Sequence, residues 1–307
     1  MPFVRLAALL SLLGLTVSRI GLVLHEIAGH GGAAAAVGCR LTELRLFRFG
    51  GGYVGYECGA LGLAQELAID LGGIALELAA GAGLLWLARR RGGLLGLFAV
   101  ATGLLFVLHA LFYLATGVHY GGGDGRMLHG LLGADRAFLV LAASALLLGG
   151  SLVAGRQLGA RLAAWVPARG WRARAATLAA AVLAAAALHG VLMRAEQALL
   201  ADPVYAATFQ PEHERQIAAQ LERFEQAPRT PAERAVQQRA LREQHAVFPL
   251  TPVLGVGIGL TALAGIAAAC RRSGAAPGAP LPTHALRTAA LACALSIALV
   301  FAIDRLL

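Results

Sequence analysis

The chain contains no lysine and no asparagine, and only 14% of its 307 residues are charged, against 58% that are hydrophobic. A soluble domain carries about 25% charged residues to coat its surface. With a mean hydropathy of +0.69 spread over several long apolar runs, the shortage of charge excludes a soluble enzyme, a disordered chain, a collagen-like fibre and a coiled coil. The net charge of +9 does not point to nucleic acid. Every basic residue is an arginine, and the arginines lie between apolar runs rather than along one polar face. Cysteine is scarce too. Cys39, Cys58, Cys270 and Cys293 form no CxxC pair, so neither a cysteine zinc site nor a disulfide framework is expected, and the redox compartment stays open.

What is present in quantity is bilayer-length apolar sequence. Seven segments, at roughly 6 to 30, 60 to 88, 93 to 117, 137 to 155, 173 to 194, 250 to 270 and 286 to 303, each approach the roughly 20 residues that a spanning helix needs. The fold class expected is therefore an all-α polytopic membrane protein of about seven transmembrane helices. The first segment follows Arg5 as a signal peptide would, but it runs on through Arg19, His25 and Glu26 without a small-residue cleavage site, and it is read as part of the mature chain. An inside N-terminus puts Arg5, Arg89 to Arg91, Arg156, Arg161, Arg169, Arg172, Arg174, Arg271, Arg272 and Arg287 on the cytoplasmic side. Arg40, Arg45, Arg48, Arg126, Arg136 and Arg305 fall opposite, which is the asymmetry of the positive-inside rule.

Two pieces interrupt the bundle. Residues 41 to 57, LTELRLFRFGGGYVGYE, alternate around Gly50-Gly51-Gly52 and read as a short β-hairpin after the first helix. The polar block from 195 to 248 holds Pro211 and a Thr230-Pro231-Ala232-Glu233 capping box, the signals of a helical hairpin outside the bilayer. Residues 273 to 283 read as a linker. The organisation expected is a membrane core over 1 to 194, the extramembrane helical hairpin over 195 to 248, and a C-terminal helix pair over 249 to 307.

Ionisable groups within a span are costly and functional by default, and His25, Glu26 and His30 occur together in one. His25-Glu26-Ile27-Ala28-Gly29-His30 has the parts of a zinc-hydrolase helix: two imidazole ligands and a carboxylate able to take a proton from metal-activated water. The spacing is one residue too long. Histidines four apart lie about 40° from each other around an α-helix, whereas five apart they lie about 140° away. A π-bulge absorbs one residue, and Gly29 eases the distortion. The motif is similar to the HELLGH of zinc dipeptidyl peptidases, where both histidines bind metal. Zinc needs a third protein ligand, and the best downstream candidate is Asp124, between glycines in GGGDGRML and on the membrane side where the first span ends.

The run into HEIAGHGGAAAAVG, the hairpin-like LRLFRFGGGYVGYE, the small-residue-rich DLGGIALELAAG and LFYLATGVHYGGGDGRMLHGLLG together resemble the core of the site-2 protease family of intramembrane zinc metalloproteases. The likeness covers roughly residues 10 to 135 in the family's order. It implies His25, His30 and Asp124 as zinc ligands and Glu26 as general base. This chain departs from the family in its HExxxH spacing and in lacking the asparagine and prolines that precede the family's DG, with Tyr113 and Thr116 in that neighbourhood instead.

Glu66, Asp70 and Glu77 are spaced to share one helix face. Glu66 reads as interfacial, and Asp70 and Glu77 stand open between tuning the site and joining helices by hydrogen bonds. His109, His119, His129 and His189 read as single hydrogen-bonding histidines. The function expected is hydrolysis of peptide bonds in or near membrane-spanning segments of a membrane-protein substrate, with Zn2+ as cofactor and no nucleic-acid partner. The protein is expected to sit in a cell membrane, most simply a bacterial-type inner membrane. The alternative is a non-proteolytic transporter or metal-handling bundle whose polar groups line a conduction path.

Overall fold

A backbone in hydrocarbon must satisfy its own polar groups, so long apolar runs become helices. The structure, a computed structural model, describes residues 2 to 168, 170 to 201, 248 to 272 and 278 to 305. Its elements are α1 (Pro2–Val23), a π-helical turn (Leu24–Gly31), α2 (Gly32–Ala36), the strands β1 (Arg40–Leu46) and β2 (Gly52–Glu57), α3 (Leu63–Asp70), α4 (Gly72–Ala88), α5 (Gly93–Tyr120), a 3-10 turn (Gly123–Gly125), α6 (Arg126–Leu132), α7 (Arg136–Ala163), α8 (Trp171–Leu200), α9 (Leu250–Arg272) and α10 (Thr283–Ile303). Among the described residues six helical stretches are long and apolar enough to cross a membrane, and α3 with α4, bent by 55° at Leu71, pass the same test as a pair, for six or seven candidate spans. All seven apolar segments of the sequence are accounted for. The expected helices at 195 to 248 lie outside the described residues beyond 201, as does the first part of the 273 to 283 linker.

The core sits between helices. Leu6, Leu9 and Leu13 of α1 pack with Leu97, Leu162, Leu178 and Ile266, and Val118, Val140, Leu147 and Leu254 form a second cluster at the other end of the bundle. Contacts between connections define the two ends. At one, Arg5 donates to Thr283 Oγ1 at 2.6 Å, and the amides of Gly278 and Ala279 bond the carbonyls of Val166 and Ala164. At the other, the hairpin meets the ends of α8 and α10. The arginine-rich connections thus gather on one end and the hairpin on the opposite one.

The hairpin is antiparallel as expected, pairing Arg40 with Glu57 and Leu46 with Gly52, with an irregularity between Leu41 and Glu43. Its loop is held by two buried charges from the spans. Arg19 donates to the carbonyl of Phe47 and, at 2.7 Å, to that of Gly50. Glu196 accepts from the amides of Arg48, Phe49 and Gly50 at 2.7, 2.8 and 3.1 Å. Asp304 accepts from the Leu46 amide at 2.9 Å. Charges that the bilayer disfavours are here spent on backbone groups that strand pairing leaves free.

One expectation is corrected. Cys39 and Cys58 form a disulfide, with Cα atoms 4.4 Å apart, and close the base of the hairpin beside the Arg40–Glu57 pair. The sequence spacing of 19 resembles no motif; it becomes a bond because the strand register brings the two flanking residues face to face. Cys270 and Cys293 are buried and not disulfide-bonded.

Candidate metal centre

The extra residue of HExxxH is absorbed in the chain itself. Leu24–Gly31 winds as a π-helix, in which residues five apart come round to the same face, as residues four apart do in an α-helix. His25 and His30 therefore face each other, with Nε2 atoms 3.2 Å apart and ring centroids 4.8 Å apart. Asp124 completes the group: its Oδ2 lies 2.7 Å from His25 Nε2 and its Oδ1 3.2 Å from His30 Nε2. The Glu26 carboxylate lies within electrostatic range of both imidazoles, Asp124 and Glu77.

Close backbone packing makes room for this turn. A Cβ on Gly29 would fall 2.5 Å from Gly73 Cα, and one on Gly73 would fall 2.6 Å from Cε1 and Nε2 of His25. The π-turn thus lies directly on the start of α4, with the His25 ring over Gly73. Asp124 is placed by a comparable approach. Gly125 lies so close to α5 that a Cβ there would stand 2.3 Å from the Val118 amide nitrogen, which folds the 3-10 turn back against the helix it follows.

His30 is held from behind by a hydrogen bond, and His25 has a carboxylate near its far nitrogen. His30 Nδ1 lies 2.7 Å from the carbonyl of Ile69, in the last turn of α3, a carbonyl that also accepts a capping backbone N–H. Since a carbonyl only accepts, Nδ1 carries the hydrogen and a neutral ring points its Nε2 lone pair at His25 and Asp124. His25 Nδ1 lies 3.5 Å from Glu77 Oε2. Glu77 is 1% exposed and takes His109 Nδ1 at 2.9 Å on both oxygens. Metal-bound histidines are oriented in this way, by a carboxylate or carbonyl on the far nitrogen.

The three groups meet at distances that a shared proton or a cation among them can bridge. Among the described residues, His25 Nδ1 and Asp124 Oδ2 are buried without a hydrogen-bond partner. Ligands about 2.0 to 2.1 Å from one zinc at the tetrahedral angle stand about 3.3 to 3.4 Å apart. Two of the three separations are close to that, while the His25–Asp124 edge is shorter. Two imidazoles and one carboxylate, with one position left over, are a donor set that a divalent metal such as zinc accepts, so His25, His30 and Asp124 could hold one. His25, Glu77 and His109 form a second group close enough to share a metal, but Glu77 is already bonded to His109.

The three acidic residues of the second span do not share one face, because the bend at Leu71 separates Glu66 and Asp70 on α3 from Glu77 on α4. Glu66 is exposed. Asp70 Oδ2 accepts from the Met127 amide at 3.1 Å and ties α3 to the segment carrying Asp124. His109 bonds Glu77, His119 bonds the Phe248 carbonyl and His129 the Val118 carbonyl. The sequence offered no signal for the Ile69 carbonyl or for Gly73. Tyr113, which the sequence marks only by its neighbourhood, lies against the site, its ring centroid 5.5 Å from that of His25.

Compared with models of protein families, with curated proteins and with solved structures, the chain gives no significant match.

Proposed function

We propose that the protein is an intramembrane zinc metalloprotease that cleaves peptide bonds in or near membrane-spanning segments. The observation that carries this reading is the convergence of His25, His30 and Asp124 within a bundle of spans, with Glu26 beside them. Zinc bound there supplies Lewis-acid polarisation of a carbonyl and lowers the pKa of a water toward about 7. Glu26 takes the proton of the attacking water and passes it to the leaving amine. The Ile69 carbonyl holds His30 in the tautomer that keeps its Nε2 free, and Glu77 stands 3.5 Å behind His25 Nδ1.

A helix must unwind before its peptide bonds can be reached, and an extended segment needs backbone partners. β2 can supply them. The Leu46 amide of β1 is already taken by Asp304, whereas among the described residues no backbone group of β2 bonds outside the sheet. The Cys39–Cys58 disulfide, being a bond of oxidising compartments, favours an outward-facing hairpin, as does the arginine asymmetry. On this reading the centre opens toward the outer side of a cell membrane.

The rival reading is a metal-handling or transport bundle. It draws on the continuous polar array from exposed His109 through Glu77 and His25 to Asp124. Cleavage separates the two. Zinc-loaded protein reconstituted with a single-span reporter should release fragments, and Glu26→Gln should bind zinc but release none. Zinc uptake without cleavage by the unaltered protein would remove the protease reading.

A further inference from the structure

Hydrolysis of an amide drives negative charge onto the carbonyl oxygen, and enzymes meet it with a donor already aimed at that position. The side chains of this centre are poor in donors. His30 turns its Nε2 lone pair inward, His25 Nε2 is taken up by Asp124 at 2.7 Å, Asp124, Glu26 and Glu77 accept only, and the Thr116 hydroxyl donates to the Phe112 carbonyl at 2.7 Å. Tyr113 is different. Its ring centroid lies 5.5 Å from His25 and 4.4 Å from His109. Its hydroxyl lies within electrostatic range of Asp124, Glu26 and Glu77, yet it makes no hydrogen bond among the described residues. The residue is 36% exposed, so it borders both the centre and the open flank of α5.

We infer that Tyr113 is a catalytic residue of the proposed hydrolysis, its hydroxyl donating to the scissile carbonyl oxygen as charge develops there. This rests on the protease reading and extends it. As the water oxygen bonds to the carbonyl carbon, the water's proton goes to Glu26; as the carbon–nitrogen bond breaks, that proton goes to the amine. Tyr113 keeps its own proton throughout. His109 is the positioning residue. It stands one turn before Tyr113 on α5, where side chains four apart meet, and Glu77 fixes its ring by bonding Nδ1 with both oxygens. Glu77 is held in turn by the tight packing of α4 on α5, where a Cβ on Gly81 would fall 2.9 Å from the Gly103 carbonyl oxygen.

The test compares the unaltered protein with Tyr113→Phe, which removes one oxygen and keeps the ring, and with His109→Gln. Each is reconstituted with zinc and a single-span reporter in phosphatidylethanolamine–phosphatidylglycerol vesicles. Tyr113→Phe should keep its zinc and its KM within about twofold while kcat falls by ~10²–10³, the loss typical of one oxyanion donor. A phosphinic peptide, whose tetrahedral oxygens mimic the charged carbonyl, should bind Tyr113→Phe more weakly by a similar factor, while a plain peptide of the same sequence binds both alike. His109→Gln should show a smaller kcat loss with zinc content unchanged. Cleavage by Tyr113→Phe at the unaltered rate, with unchanged phosphinic-peptide affinity, would overturn the assignment and leave the protease reading standing. If the unaltered protein neither cleaves nor binds the phosphinic peptide, the protease reading fails and the role of Tyr113 fails with it.

Discussion

On the proposed reading, Glu26 and Gly73 act on the centre by different routes, one through a proton and the other through space. Glu26→Gln keeps the shape of the side chain but cannot accept a proton at the attacking water. Zinc content should stay at the unaltered level, and cleavage should fall at least ~100-fold, the lower end for loss of a general base. At Gly73 a methyl group would meet three ring atoms of His25 at 2.6 to 2.7 Å, so the ring or α4 must shift. Gly73→Ala should therefore weaken zinc binding at least ~10-fold, as misorienting a ligand does, at a stability cost of about 1 to 3 kcal/mol for overpacking. Gly83→Ala is the control on the same helix, since a Cβ there meets nothing within 4 Å. Competition titration against a chelator measures both; equal zinc affinity in the two variants would mean that the His25 position is not set by α4.

Among the elements, the π-turn was half legible. The sequence shows an HExxxH that an α-helix cannot close and a Gly29 that permits distortion, and the turn follows from those two facts. Its seat does not. Gly72 and Gly73 read as generic small residues of a span, and only the packed helices show that they open α4 after the bend at Leu71 and lie under Gly29 and His25. Asp124 was legible as an acid between glycines. The carbonyl of Ile69 was not, because any residue has one and only the 3D path selects it. The disulfide was missed for a related reason: Cys39 and Cys58 flank the hairpin symmetrically, but pairing them requires the strand register. Asp70 shows how elements share the load, since it is the bond from α3 to the Met127 amide that steadies the turn carrying Asp124. Asp70→Ala should cost about 1 kcal/mol, as loss of a helix N-terminal acceptor does, and weaken zinc binding without touching a ligand. An unchanged zinc affinity and melting temperature would show that the Asp124 turn is held by its glycine packing alone.

For the whole molecule, the arginine-rich end and the hairpin end lie at opposite ends of the bundle, and on the proposed reading the disulfide and the arginine asymmetry favour the same orientation. Reporter fusions after Arg91 and after Arg174 should read as cytoplasmic and one within 200 to 245 as external, and Cys39 and Cys58 should resist alkylation until reduced. The reverse fusion pattern, with freely alkylated cysteines, would turn the centre to the cytoplasmic face. The central claim, that the π-turn and the 3-10 turn together build one zinc site, is tested most directly by zinc X-ray absorption on the purified intact protein beside His30→Ala and Asp124→Ala. The account predicts one tightly held zinc per chain with nitrogen and oxygen ligands only, two of them imidazoles at about 2.0 to 2.1 Å, and a changed or emptied site in both variants. No zinc in the unaltered protein, sulfur ligation at about 2.3 Å, or a spectrum indifferent to both substitutions would contradict it.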